Sequence, residues 1–343
     1  MKLLESRLYR SDLAKACRAI DLSELENKTV AVTGGLGLIG SSIVDFLVSY
    51  GKLKTIYVLA RSKERFYTRF GGIQSVEFIQ YDALNPLDLT VVPDYIIHCA
   101  GLASPELYIS KPVETILTNF TGIHNLLEFA RNRLVKRVLY VSSSEVYGKK
   151  DTDEAFEEGK YGIIDVDDLR SSYPIAKKAS EMLCKAYSDE YNIDVVIVRP
   201  GHIYGPSATK NDKRISSDFA YKAANSEKLV MKSAGLQQRS YCYSVDCVVQ
   251  IFTVLLKGNK GKAYNIGHDS VTTIRKMAQV YAEAGNVALE IVDPTEEEKR
   301  VFNPMDHSSL KNDRIKSLGY RDSFTAEEGL RHTVQILREI LKN

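Results

Sequence analysis

The residues of this chain best equipped for chemistry begin with a glycine-rich turn, Gly34-Gly35-Leu36-Gly37-Leu38-Ile39-Gly40. The spacing Gly35-x-Gly37-x-x-Gly40, with Gly34 adding a second overlapping one, suits a backbone that turns tightly and lets a diphosphate approach. Leu38, Ile39 and Gly40, entering the next helix, would offer N–H groups to that anion. The turn lies between the run Thr29-Val30-Ala31-Val32-Thr33 and a helix-like stretch from Ser41 to Ser49 ended by Gly51, the context such a fingerprint needs. It predicts a dinucleotide site, for NAD or NADP. An acid at the end of the next strand would accept from the adenosine 2′-hydroxyl. The chain reads Leu59-Ala60-Arg61-Ser62-Lys63 there, and Arg61 with Ser62 suits a 2′-phosphate. That tilts the choice mildly to NADP, although Arg61 would also serve by stacking on adenine or as a surface arginine. Asp82, just after the third strand, is a candidate for the adenine amino group, or else a loop aspartate.

Tyr173 and Lys177, four residues apart, share one face of a helix. Free tyrosine titrates near pH ~10, but a nearby ammonium and a nicotinamide cation would favour the phenolate and make a base. The spacing alone is common with 20 tyrosines. Tyr50 and Lys54 share it, but Gly51 breaks the helix between them and no hydroxyl partner precedes them. Tyr173 has such a partner in Ser142-Ser143-Ser144, at the end of an apolar strand, where a hydroxyl can hold the oxygen that loses its proton.

The elements that must position these groups are short apolar runs: 29–33, 55–59, 76–79, 95–98, 137–141, 194–198 and 263–266. Most are separated by enough chain for a helix. This predicts an α/β fold, a Rossmann-type doubly wound parallel sheet covered on both faces. The texture is loopier after Arg199-Pro200-Gly201, and a mostly helical tail follows the last run. We read 1–28 as a helical extension that packs on the rest, 29–198 and 241–267 as the dinucleotide-binding domain, and 199–240 with 268–343 as a smaller, interleaved substrate domain.

A net charge of +2 and 26% charged residues do not suggest a broad surface for nucleic acid or membrane. No stretch approaches the ~20 apolar residues that span a bilayer, and the charged N-terminus does not read as a signal peptide. Five scattered cysteines without a C-x-x-C pair argue against disulfides or zinc and for a reducing, cytoplasmic setting. No metal site is expected.

Taken in order, Thr33-Gly34-Gly35-x-Gly37-x-x-Gly40, His98-Cys99-Ala100-Gly101, Thr118-Asn119-Phe120-Thr121-Gly122, Ser142-Ser143-Ser144-Glu145-Val146-Tyr147-Gly148, Tyr173-x-x-x-Lys177 and Arg199-Pro200 through Tyr204-Gly205-Pro206 resemble the extended short-chain dehydrogenase/reductase family. The resemblance implies Ser143 as the catalytic hydroxyl, Tyr173 as base and Lys177 as its partner on the nicotinamide ribose. It adds Ala100, Asn119 and Arg199 to the cofactor site. Most extended members act on nucleotide-activated sugars, oxidising the sugar C4 hydroxyl by hydride transfer.

Ala103-Ser104-Pro105-x-x-Tyr108, Ser144-Glu145, Asn211-Asp212-x-Arg214 and Gly235-x-Gln237-x-Arg239-Ser240 look like the UDP-glucuronate decarboxylase branch. That resemblance makes Glu145 catalytic and places Ser104, Tyr108, Ser144, His202, Arg214 and Arg239 on the substrate. His202 stands where that branch usually carries an asparagine. Glu145 would also serve as a helix cap or a partner for a lysine, Tyr108 as a packed helix aromatic, and Arg239 only to neutralise the diphosphate. A 4,6-dehydratase or 4-epimerase is the alternative, and an NADPH-consuming keto-sugar reductase the alternative of another class. The partners implied are a nucleotide sugar, a UDP-sugar favoured, and a second copy of the chain in a homodimer packed through two helices per subunit, including the one carrying Tyr173.

Overall fold

The computed structural model describes residues 2–295 and 307–342; the part of the expected substrate domain at 296–306 lies outside them. The apolar runs form strands β1 Thr29–Thr33, β2 Thr55–Ala60, β3 Val76–Gln80, β4 Tyr95–His98, β5 Arg137–Val141, β6 Val195–Pro200 and β11 Ala263–Ile266. They make one sheet in the order β11-β6-β5-β4-β1-β2-β3, and every pairing is parallel. Successive side chains leave a strand on opposite faces, and the cores record it. Val30 and Val32 of β1 and Val196 and Val198 of β6 join one apolar cluster. Ala31, Val195 and Ile197 join the other. Both faces are covered, which is why these strands read as unbroken apolar runs rather than alternating ones.

The helices that matter for the site are α2 Leu38–Tyr50, α3 Lys63–Phe70, α4 Pro105–Ser110, α5 Pro112–Asn132 and α6 Ser172–Glu190. The strand order reverses between β1 and β4, the switch point at whose carboxyl ends open α/β sheets form their ligand crevice. The loop-rich stretch after residue 200 contains a helix, α7 Ile215–Ala224, flanked by the turns that mask it in the sequence. A further helix, α8 Ser244–Lys257, is buried along most of its length. Short strands complete this half. β7 His202–Tyr204 pairs with β10 Tyr241–Tyr243, β8 Leu229–Met231 with β13 Leu289–Ile291, and β9 Gln238–Arg239 lies between β12 Thr272–Thr273 and β14 His307–Ser308.

The N-terminal residues enter the main core. Helix α1 Arg7–Arg18 starts at Ser6, whose hydroxyl accepts from the Tyr9 N–H, and buries Tyr9 and Leu13. The Tyr9 hydroxyl donates to Asp45 on α2 at 3.0 Å. Asp12 accepts from the Tyr243 hydroxyl at 2.9 Å and meets His332 Nδ1, on the C-terminal helix Ala326–Leu341, at 3.0 Å. The α1 helix therefore ties the cofactor-side helix α2 to the second half of the chain.

Candidate active site

Above the sheet switch point the glycine turn is held by geometry that other residues cannot adopt. Gly34 has φ +64°, and a Cβ on it would lie 2.8 Å from the Ala100 nitrogen. A Cβ on Gly40 would lie 2.4 Å from the Gly34 carbonyl oxygen. Gly37 is the N-cap of α2 and supplies no side-chain cap, so the first-turn N–H groups of Leu38, Ile39 and Gly40 face the crevice without an intrahelical partner. The other wall is tied in by Thr33, whose hydroxyl meets His98 Nδ1 at 2.8 Å and accepts from the Ala100 N–H at 3.2 Å.

At the adenosine end, Arg61 is exposed. The Ser62 hydroxyl caps α3, accepting from the Arg65 N–H at 3.2 Å. Arg65, which sequence reasoning passed over, donates from Nη2 to the Leu36 carbonyl at 3.3 Å and so reaches across the glycine turn. Its signal was available: it lies one helical turn beyond Arg61. Asp82 is half-buried, and its Oδ1 accepts from the Leu84 N–H.

At the nicotinamide end, Asn119 is buried on α5. Its amide donates to the Leu102 and Thr115 carbonyls, while its Oδ1 and the buried Ser142 Oγ have no partner among the described residues. Orphaned buried polar atoms are rare in a finished protein. Together with the uncapped helix and the glycine cradle, they fit a dinucleotide lying along this crevice. Arg199 lies inward of this crevice among protein partners. It is 3% exposed and commits its guanidinium to Glu181 at 2.6 Å, Tyr147 at 3.0 Å and Tyr161 at 2.7 Å. A desolvated guanidinium needs such partners, and through Glu181 Arg199 joins β6 to α6.

The chemistry gathers at Tyr173, buried in the first turn of α6. Tyr108 of α4 lies flat against it, ring centroids 4.4 Å apart and planes 4° from parallel. The Ser172 hydroxyl donates to the Tyr108 carbonyl at 2.9 Å, which fixes α4 on α6. Burial pushes the Tyr173 phenol up and Glu145 adds to that; hydrogen bonds from Ser143 and Tyr108 and the charge of Arg214 act the other way. The expected help from Lys177 takes another form. Its ammonium is 4% exposed, donates to the Val141 carbonyl at 2.9 Å, and stands over the rings of Tyr140 and Tyr173 at 4.8 and 5.9 Å from their centroids. Burial lowers it to about 8.

Ser143 caps the short 3-10 turn Ser144–Tyr147 and accepts from the Glu145 N–H at 3.2 Å, so Ser143, Ser144 and Glu145 sit together at the end of β5. Glu145 pairs with Arg170, at 3.2 Å and 3.4 Å through its two oxygens. The partner is an arginine three residues before Tyr173, and nothing in the local spacing near Glu145 pointed to it. Ser104 occupies the N-cap position of α4 without making a side-chain cap.

The opposite wall is cationic. Arg214, at the start of α7, is paired with Asp212 through Nε at 3.0 Å and acts on Tyr108 and Tyr173. Buried Arg239 donates to the Gln238 carbonyl at 2.8 Å. His202 sits in register with Tyr241 and packs on its ring. Burial, then the charges of Arg239 and Arg214, lower it to about 3; its imidazole is neutral at working pH. The candidate site thus combines a phenol, a hydroxyl, a carboxylate and a buried amine next to a wall that carries Arg214 and Arg239.

The family model of the NAD dependent epimerase/dehydratase family matches residues 30–267. The chain is similar to UDP-glucuronic acid decarboxylase 3 of Arabidopsis thaliana, 33% identical over 309 residues that cover 89% of this chain and 87% of that protein. It is similar to the dTDP-D-glucose 4,6-dehydratase of Homo sapiens at 26% identity, covering 92% and 91%. Among solved structures it resembles an epimerase of Methanothermobacter thermautotrophicus, with a TM-score of 0.82 at 22% identity, covering 96% of each chain; this last likeness is one of fold.

Proposed function

Because the chain belongs to the NAD dependent epimerase/dehydratase family, we propose that it is a nucleotide-sugar enzyme working through transient oxidation at sugar C4, and that its reaction is the decarboxylation of UDP-glucuronate. The observation that carries this reading is the Tyr108–Tyr173 stack, with Ser143 and Glu145 beside it and Arg214, Arg239 and His202 opposite.

The Gly34–Gly40 turn with the N–H groups of Leu38 and Ile39 would hold the dinucleotide's diphosphate, and Asn119 and Lys177 would hold its nicotinamide end. When bound, the oxidised dinucleotide supplies a hydride acceptor and a positive charge that favours the phenolate. Tyr173 takes the proton of the C4 hydroxyl while Ser143 holds that oxygen. With a ketone at C4, the C6 carboxylate is that of a β-keto acid. The C5–C6 bond then breaks, CO2 leaves, and the electron pair moves into an enolate that Ser143 and Tyr173 stabilise by hydrogen bonds. Protonation at C5, and return to C4 of the hydride removed in the first step, would restore the C4 alcohol with no net oxidation. Arg239 and neutral His202 suit the diphosphate, and Tyr108, Glu145 and Arg214 the reacting end of the sugar.

Arg61 and Arg65 near the adenosine end, with no acid after β2, support NADP over NAD. Val113, Ile116, Leu117 and Phe120 form an exposed apolar stripe on α5. It supports a homodimer through α5 and α6, since monomers rarely leave such a stripe in water. The five free cysteines support a reducing, cytoplasmic setting, and among the described residues no helix is long and apolar enough to cross a membrane.

The test is a panel of nucleotide sugars offered to the purified protein without added cofactor, with products identified by mass. UDP-glucuronate is expected to give CO2 and a UDP-pentose with no net absorbance change at 340 nm. An intact carboxylate while other sugars react would replace the decarboxylase by a dehydratase or epimerase, and stoichiometric NADPH consumption would make the enzyme a reductase.

A further inference from the structure

We propose that Arg170 is a positioning residue that holds Glu145 as an aligned carboxylate beside the Ser143–Tyr173–Tyr108 group, and that this pair serves the step after C4 oxidation. The inference rests on the nucleotide-sugar reading for the step it names, but not for the pair itself.

The geometry is end-on. Nη1 of Arg170 meets Oε2 of Glu145 at 3.2 Å and Nη2 meets Oε1 at 3.4 Å, so the fork sets the plane of the carboxylate as well as its charge. Both ends are anchored. Arg170 lies in the 3-10 turn Leu169–Ser171, where Asp168 Oδ1 accepts from its N–H at 2.9 Å, and Ser172 immediately beyond is tied to Tyr108. Glu145 in turn donates its N–H to Ser143. The two side chains are 24% and 20% exposed, so solvent screens them only partly.

Glu145 is pulled two ways. Burial holds its carboxyl above the ordinary carboxylate value, and the charge and hydrogen bonds of Arg170 offset part of that rise. The other groups around it are the phenols of Tyr108 and Tyr173, which Arg214 faces from α7. No step of C4 oxidation needs Glu145, because Tyr173 takes that proton. A carboxylate fixed beside the same ring belongs to the proton transfers at C5 that follow. Lysine in place of Arg170 would keep the charge and lose the fork, while methionine would lose both.

The experiment uses the full chain with carbon-13-labelled glutamate, and Glu145→Gln assigns the signal. In Arg170→Met the Glu145 titration midpoint is expected to rise by a pH unit or more, leaving about tenfold less carboxylate at a fixed pH below both midpoints. In Arg170→Lys it is expected to stay near wild type. An unmoved midpoint in Arg170→Met overturns the pairing even if no nucleotide sugar reacts; should that variant not fold, Arg170→Gln replaces it under the same criterion. With a reacting sugar, the 340 nm transient of C4 oxidation is expected within about threefold of wild type, kcat at least tenfold lower, and KM little changed. An equal loss of transient and turnover would mean that Arg170 acts on the first step and would overturn its assignment to the second. Failure of every sugar to react, with the midpoint shift intact, would remove the proposed function and leave the pair standing.

Discussion

Tyr108 and Tyr173 lie face to face, 4.4 Å between ring centroids and 4° between planes, although 65 residues separate them in the chain. Parallel planes with centroids 4.4 Å apart form an offset stack, an arrangement that aromatic pairs prefer. The two phenols are thereby brought into one electrostatic environment, in which Tyr108 opposes the rise that burial imposes on Tyr173.

Removing the hydroxyl of one ring should therefore differ from removing that of the other. Tyr173→Phe is expected to lower turnover at least about a hundredfold while the sugar nucleotide still binds. Tyr108→Phe keeps the stack and should cost about tenfold, the worth of one hydrogen bond. Steady-state kinetics with binding by calorimetry would decide it. Retained activity in Tyr173→Phe would remove the base assignment.

Lys177 carries a folding cost. Its buried ammonium is lowered to about 8, so folding disfavours the charged form relative to the unfolded chain. The penalty is full below pH 8, fades as pH rises above it, and is gone above the unfolded value. Lys177→Met should abolish turnover yet stabilise the protein free of dinucleotide at pH 7, by up to about 3 kcal/mol. The gain should shrink between pH 8 and 10. Melting curves across that range check it, and a variant less stable at every pH would contradict the account.

Arg65 should separate the two dinucleotides. Arg65→Ala is expected to weaken NADP binding about tenfold, one charge-assisted contact, and to leave NAD binding within twofold. Fluorescence titrations with both reduced forms measure this; equal losses would mean that Arg65 only braces the glycine turn.

The Asp12–His332 contact should make the seat of α1 sensitive to pH. Asp12 raises the His332 imidazole above its ordinary value through a hydrogen bond that outweighs partial burial; Glu328 adds to this and Lys15 opposes it. A raised histidine stabilises the fold fully below its unfolded value, and that contribution is lost as pH rises through the folded one. Asp12→Asn should cost about 1–2 kcal/mol near pH 6 and less at pH 9, as read from denaturant unfolding. A cost independent of pH would assign the loss to the Tyr243 hydrogen bond alone.

The sequence by itself determined the seven strands, their parallel pairing, the glycine turn, the Tyr173–Lys177 spacing and the serine run 142–144 at the end of a strand. These are local: β-branched runs, tight turns and i,i+4 spacing are written in neighbouring residues. The resemblance reached further, to Tyr108, Glu145, Arg214 and Arg239, but not to what each of them touches. Only the tertiary structure decided that Arg199 is absorbed by Glu181, that Arg170 claims Glu145, that Tyr108 lies on Tyr173, and that the N-terminal helix is bound between α2 and the C-terminal helix. Each is a pairing across a long stretch of chain. A charge or a ring shows in the sequence what it can do, but its partner is chosen by the path of the backbone and by the need to satisfy every polar group that folding buries.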